Sequence, residues 1–399
     1  MRRFSFVYSL LSLTAVFFCS GSLNSAEAAQ PKEWTLLVFL NGNNSLDSFG
    51  PINLKQMEKI GSTKDINIVV QWASLSTGKV ERFLIKKSSN PNEVTSPVVQ
   101  DLGSTDMGDW HSVVDFVKWG AANYPAKHYF LDIWDHGSGW HGKRGNFGVK
   151  DISLDENTGN MITTKQLGLA LSASAQAIGQ KIDLYASDAC LMAMPEIANE
   201  MADSVSIYAG SEETEPGLGW PYHTFLARWA AKPNAKASEV AVMLSEEYAK
   251  FYDGNHGNSY ESVTFSAFDL GALNAFKNTL KTFSENMKKM SGTTAKLVLS
   301  AAKNSQSFTD SDYVDFLDFL KNIKSANISS IDNHLVDSML TSTKNMLLTS
   351  NNIGFPNATG LTIWIPKDQS TFNRYLSNYT QLKFDSETHW SDFLSAMLK

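Results

Sequence analysis

A thiol and an imidazole can together run acyl transfer near neutral pH: the thiolate attacks a carbonyl, and the imidazole carries protons to and from the reacting atoms. The chain has 399 residues and two cysteines, of which Cys19 lies in an apolar N-terminal segment and Cys190 in the body of the sequence. Cys190 belongs to KIDLYASDACLMAM, Lys181 to Met194. The apolar run through Ile182, Leu184 and Tyr185 reads as a buried strand ending at Ser187, and Leu191 to Met201 reads as a helix. That reading sets the thiol at a strand-to-helix junction, where the positive end of a helix would favour the thiolate. The competing reading is an inert buried cysteine, the ordinary role of a lone thiol.

The partner imidazole is expected at His136. It follows a second apolar run, HYFLDIW, and has Gly137 and Gly139 beside it, which leave the backbone open to close approach. His141 is its nearest rival. A metal pair of His136 and His141 would need Asp135 or Asp151 as a third ligand, and no HExxH-type spacing supports it. No metal or other cofactor is expected, and dependence on calcium is not written in the sequence.

Both residues follow apolar runs, and the chain supplies more runs of that kind. Trp34 to Leu40 and Ile66 to Trp72 read as buried strands, with Val80 to Ile85 as a third strand or hairpin arm. Leu46 to Ile60 and Trp110 to Ala121 read as helices, the second with Asp109 as N-cap. Near-continuous apolar strands alternating with helices predict an α/β fold on a mainly parallel sheet. Sites in such sheets gather beyond the carboxyl ends of the strands, where His136 and Cys190 both fall.

Arg2 and Arg3, the apolar run from Phe6 to Phe18 and the small-residue pattern Ala26-Glu27-Ala28 read as a secretory signal peptide over residues 1–28, too short for a membrane span. Phe17-Phe18 is too bulky for a lipid anchor at Cys19. The exported chain, periplasmic or extracellular, then holds one thiol with no internal partner, and such a thiol is either buried or used. Losing Arg2, Arg3 and Glu27 takes the formal charge from -7 to -8. No basic run points to nucleic acid, and no membrane contact is expected once the signal is removed. The oligomeric state leaves no mark in the sequence.

WTLLVFLNGNNSLD, NYPAKHYFLDIWDHGSGW, IDLYASDACLM and YAGSEETEPGLGWPY together resemble the clostripain family of cysteine peptidases, in the group that includes caspases, gingipains and legumains. The resemblance runs in register from Trp34 to Tyr222, with weaker echoes in YESVTFSAFDL, DYVDFLDFL and GLTIWIP. The 54 residues from His136 to Cys190 match the spacing habit of that group. It implies a caspase-like three-layer sandwich, a His136/Cys190 dyad acting on peptide or protein substrates, and an oxyanion hole from the N–H groups of Gly137 and Cys190. It also implies that Asp188 lines a pocket for Arg or Lys before the cut, against the alternative that Asp188 caps the next helix. Ser211 to Glu215 follows another apolar stretch, so its three acids are expected on the same crevice, with Ser211 and Glu212 as candidate substrate-binding residues. Leu218 stands where some relatives carry a second pocket acid.

Lys143 to Asn160 reads as a polar exposed loop, and self-cleavage after Lys150 is the expectation that relatives suggest there. Residues 29–250 are expected to form the catalytic domain and 251–399 a C-terminal α/β subdomain packed on it. A catalytically silent binding module and a transpeptidase with the same dyad are the alternatives.

Overall fold

The computed structural model describes Met1, Ser5 and residues 30–141, 151–256 and 259–399. Eleven strands occur among them. In chain order they are β1 (Lys32–Gly42), β2 (Ile66–Ser74), β3 (Lys79–Leu84), β4 (Val98–Asp101), β5 (Ala126–Trp134), β6 (Ile182–Asp188), β7 (Val205–Gly210), β8 (Val263–Asp269), β9 (Tyr313–Asp315), β10 (Leu347–Ile353) and β11 (Thr362–Trp364). Nine of them form one sheet in the order β10-β8-β7-β6-β5-β1-β2-β3-β4, while β9 and β11 pair separately. The central pairings β2/β1, β1/β5, β5/β6 and β6/β7 are parallel; the flanking ones are antiparallel.

The apolar runs are continuous because both faces of the sheet are covered. Along β1, Leu37 and Phe39 point into one core cluster, and Leu36, Val38 and Leu40 into the other. The first cluster is closed by α2 (Trp110–Asn123), α3 (Thr164–Ile178), α4 (Pro195–Met201) and α7 (Leu273–Met287). The second is closed by α1 (Gly50–Glu58), α5 (Tyr222–Ala230) and α6 (Ala237–Phe251). Three layers result. Asp109 caps α2 as expected, accepting the His111 N–H at 3.0 Å.

One expectation changes. The region from Leu191 to Met194 is not helical, and α4 starts only at Pro195. Proline is favoured at the first helical position and pushes the preceding residue out of the helical region, which is where Met194 stands, at φ -125° and ψ 139°. In the C-terminal part, β9 and β11 pair with each other apart from the central sheet. Strands β8 and β10 of the same part extend the central sheet from β7, and residues 31–399 form a single compact unit.

Lys143, Arg144 and Lys150 lie outside the described residues, as do most of residues 1–28. The rest of the interval expected to be an exposed loop is partly tied down. Ile152 is buried and bridges Gly137 and Ile162, and Asp151 is buried as well. No helix among the described residues is long and apolar enough to cross a membrane.

Candidate active site

β5 and β6 lie side by side, with Trp134 opposite Asp188. Each strand runs out two residues before a candidate catalytic side chain, so the register of the sheet brings His136 and Cys190 to matching positions beyond its carboxyl edge. The 54-residue separation in sequence is this register. The pairing carries on past the strands through Asp135 N–H to Asp188 O at 3.2 Å. It then becomes so close that a Cβ on Gly137 would lie 2.5 Å from Cys190 O, which only glycine avoids.

The end of β1 and the residues just after it hold the His136 loop. Ser45 Oγ lies 2.9 Å from His136 Nε2. The adjoining Asp135 carboxylate is buried and accepts N–H groups from Asn41 at 2.8 Å, Asn44 at 2.6 Å and the His136 backbone at 2.5 Å. Burial still drives its pKa well above the usual range. Both Asp135 oxygens are thus engaged by side-chain amides, and Asp151 accepts the Thr164 N–H through one oxygen. His141 is buried and stacks on Tyr375, with ring centroids 4.0 Å apart, in an aromatic cluster that includes Trp140, Tyr313 and Trp364. The same cluster clamps the His136 loop. The Tyr313 hydroxyl lies 2.8 Å from Ser138 O and 2.7 Å from His141 O, and its ring packs over Gly139.

Cys190 is followed by Leu191 in a left-handed conformation, φ 66°, an uncommon and strained state for a branched residue. Burial raises the thiol pKa, opposed by backbone N–H groups of Glu215 and Gly137 directed at sulfur; the Glu215 N–H meets Sγ at 3.2 Å. The helix-dipole route to a thiolate does not operate here, because α4 starts five residues on.

A cavity of about 220 Å³ opens beside the thiol, with His136, Asp188, Cys190, Glu215 and Gly219 in its wall. Asp188 does not cap a helix; the residue before α4 is Met194. Its carboxylate accepts Trp220 N–H at 3.3 Å and Tyr222 O–H at 2.9 Å, and Tyr222 also reaches buried Asp132 at 2.6 Å. Gly219, at φ 60°, lets the chain pass so close that a Cβ would sit 2.9 Å from Asp188 Oδ1. The Glu215 carboxyl takes the Ser211 hydroxyl and lies against that of Asp188. Two carboxyls in contact hold a proton between them. Burial raises both, Glu215 well above the usual range with the Asp188 charge adding to it, and Asp188 to about 6.

Ser211 and Glu212 do not line this cavity. Ser211 is buried behind Glu215, and Glu212 turns away to Gly360 N–H at 2.9 Å and Thr362 Oγ1 at 3.3 Å. Leu218 is exposed, with its carbonyl held by Asn53. Of the three acids expected on this crevice from Ser211 to Glu215, Glu215 alone lines the cavity, and sequence reasoning missed Ser45. Ser45 lay inside a quoted motif that carried no signal of which way it points.

Comparison with known proteins places these features in a lineage. The model of the clostripain family, peptidase C11, matches residues 38–396. A secreted C11 cysteine protease from Bacteroides thetaiotaomicron, solved with an irreversible peptide inhibitor, superposes with a TM-score of 0.68 at 18% identity, covering 90% of this chain and 99% of that one. An inactive zymogen C11 protease from Parabacteroides distasonis gives 0.69 at 17% identity, again covering 90% and 99%. Comparison with curated proteins gives no match. The shared fold is caspase-like, and with the family match spanning most of the sequence, the chain belongs to the clostripain family of cysteine endopeptidases.

Proposed function

We propose that this is an exported endopeptidase in which Cys190 and His136 form the catalytic dyad and the Asp188 cavity selects Arg or Lys before the cut. The observation that carries the dyad is the β5/β6 register, with Gly137 packed against the Cys190 backbone. In the first step the thiol proton passes to His136 and sulfur attacks the scissile carbonyl carbon. The oxyanion lies between the N–H groups of Gly137 and Cys190, and collapse breaks the C–N bond as His136 gives its proton to the leaving amine. Water, deprotonated by His136, then hydrolyses the thioester and frees the thiol. Ser45 holds Nε2, so Nδ1 is the nitrogen that exchanges the proton. Because burial keeps the resting thiol protonated, the base is needed from the start.

For specificity, Asp188 supplies the charge. None of the ion pairs among the described residues engages Asp132, Asp188 or Glu215, so the cavity holds acid that a substrate cation would neutralise. Export is supported by the signal-like residues 1–28 and by the secreted relative. Self-cleavage after Lys150 is supported by the basic residues of that interval and by the relative described as an inactive zymogen. Asp151, the new N-terminus, is already buried and bound to Thr164, so the fragments would stay together.

The test incubates purified chain with peptides varying the residue before the cut. Cys190→Ala and His136→Ala are each expected to abolish hydrolysis while folding normally, and the double variant to be no worse. Wild type is expected as two bands on a denaturing gel, beginning anew at Asp151, with Cys190→Ala as one. Near-native turnover in either single variant rejects the dyad, and amine-dependent ligation products would make the enzyme a transpeptidase.

A further inference from the structure

His136 lines two cavities. One is the Asp188 cavity, whose Trp134 and Leu46 belong with the core on the α1, α5 and α6 side of the sheet. The other, about 250 Å³, lies toward the opposite core through Ile152, and Ser45, His136 and Gly137 are in its wall. Acyl transfer divides the substrate at the thiol. The side chain before the cut fills the Asp188 cavity, whereas the leaving amine departs as His136 protonates it. The residue that begins with that nitrogen must therefore pass on the far side of the imidazole, where the second cavity opens.

The lining of this cavity specifies what fits. Ile152 and Leu154 are buried and, with Met161, form an apolar sleeve. Asp151 lies along it, deeply buried. One carboxylate oxygen accepts the Thr164 N–H at 2.6 Å, and the other, Oδ1, has no hydrogen-bonding partner among the described residues. Glu156 stands exposed on the rim. An apolar passage with an unpartnered buried carboxyl and a second acid at its mouth suits a side chain that is apolar along its stem and cationic at its tip.

We propose that this second cavity takes a Lys or Arg side chain from the residue immediately after the cut, so that the favoured bonds lie between two basic residues. This rests on the dyad and specificity reading above. Burial pushes the Asp151 carboxyl up to about 7, and an entering cation would draw it into its ionised form.

Two substrate series separate this proposal from the reading it rests on. The first places a small coumarin amide after Arg, leaving the second cavity empty, and reports the dyad and the Asp188 cavity. The second uses internally quenched peptides identical except after the Arg, where Lys, Arg, Gln, Met or Glu stands. At pH 7.5 the full chain is expected to cut the Lys and Arg peptides about fivefold faster in kcat/KM than the Gln and Met peptides, with Glu slowest. Glu156→Gln and Asp151→Asn should each reduce that ratio. Asp151 also anchors α3, and Glu156→Gln, at an exposed site, keeps the test alive if Asp151→Asn misfolds. Coumarin release with equal rates on the Lys and Gln peptides, or a ratio untouched in the folded variants, overturns this proposal alone. Absence of hydrolysis in both series overturns the peptidase reading and this one together.

Discussion

Glu212 and Glu215 stand three residues apart in one stretch, and each meets a buried aspartate, yet the two pairs do different work. Glu212 lies against Asp315, with burial and the Asp315 charge holding its pKa well above the usual range. Every group around that pair comes from the protein. Gly360 N–H and Thr362 serve Glu212, while Thr359 and the Asp318 N–H at 2.7 Å serve Asp315. The pair is a closed joint between the loop after β7 and the C-terminal segment. Glu215 and Asp188 are raised by the same burial, but their shared wall is a cavity beside the thiol. Buried acids alone therefore do not mark a site; in the proposed reading, the pair that opens on a cavity does.

The largest expected effect tests the open pair. Asp188→Asn should cost about 2 to 5 kcal/mol in kcat/KM for an Arg substrate and much less for a neutral residue at that place. Glu215→Gln, which mimics the protonated acid, should preserve Arg cleavage. Equal losses across all substrates in Asp188→Asn would erase the distinction between the pairs.

The closed pair should show the reverse. Glu212→Ala leaves buried groups on Gly360, Thr362 and Asp315 unpartnered and should lower stability by about 1 to 3 kcal/mol in urea unfolding. Its Arg preference per folded molecule should be unchanged. Glu212→Gln, again a mimic of the protonated acid, should unfold close to wild type at pH 5. A changed substrate preference in Glu212→Ala would mean that the joint also shapes the pocket.

A graded effect follows from pH. Buried carboxyls whose folded pKa is raised bind more protons folded than unfolded, so their stabilising contribution is complete below the ordinary carboxyl range and is lost as pH rises toward the raised values. With Asp151 and Glu196 raised to about 7 by burial, and Glu212 raised too, melting temperature should fall between pH 5 and pH 7.5. Cleavage after Arg should move the other way, climbing through about pH 6 as Asp188 ionises. Parallel pH profiles for melting and Arg cleavage would contradict the assignment of open and closed pairs. The smallest effect belongs to Tyr313→Phe, which removes the hydroxyl that clamps Ser138 and His141 and should cost about 1 kcal/mol in stability, with a modest fall in kcat.

The sequence made the sheet legible because HYFLDIW and IDLYAS are too continuously apolar to be anything but strands buried on both sides. Once they pair, the equal offsets of His136 and Cys190 follow. The start of α4 was misjudged although Pro195 marked it, because the apolar run LMAM resembles a helix face. The directions of Glu212 and Glu215 were not legible. They depend on where β7 hands over to the next loop and on Gly360, far away in sequence. Ser45 was visible only as one polar residue among several in NGNNSLD, with nothing local to say that it would meet His136.

Tyr313 over Gly139 and the Thr362 N–H to Ala193 O contact at 3.0 Å set an order of assembly. A growing chain can pair β5 with β6 early, but each loop that carries the proposed dyad receives its last brace only from residues some 170 positions further on. The proposed cutting edge is thus completed among the last parts of the molecule, and a chain still emerging from the ribosome is kept blunter by what it has yet to receive.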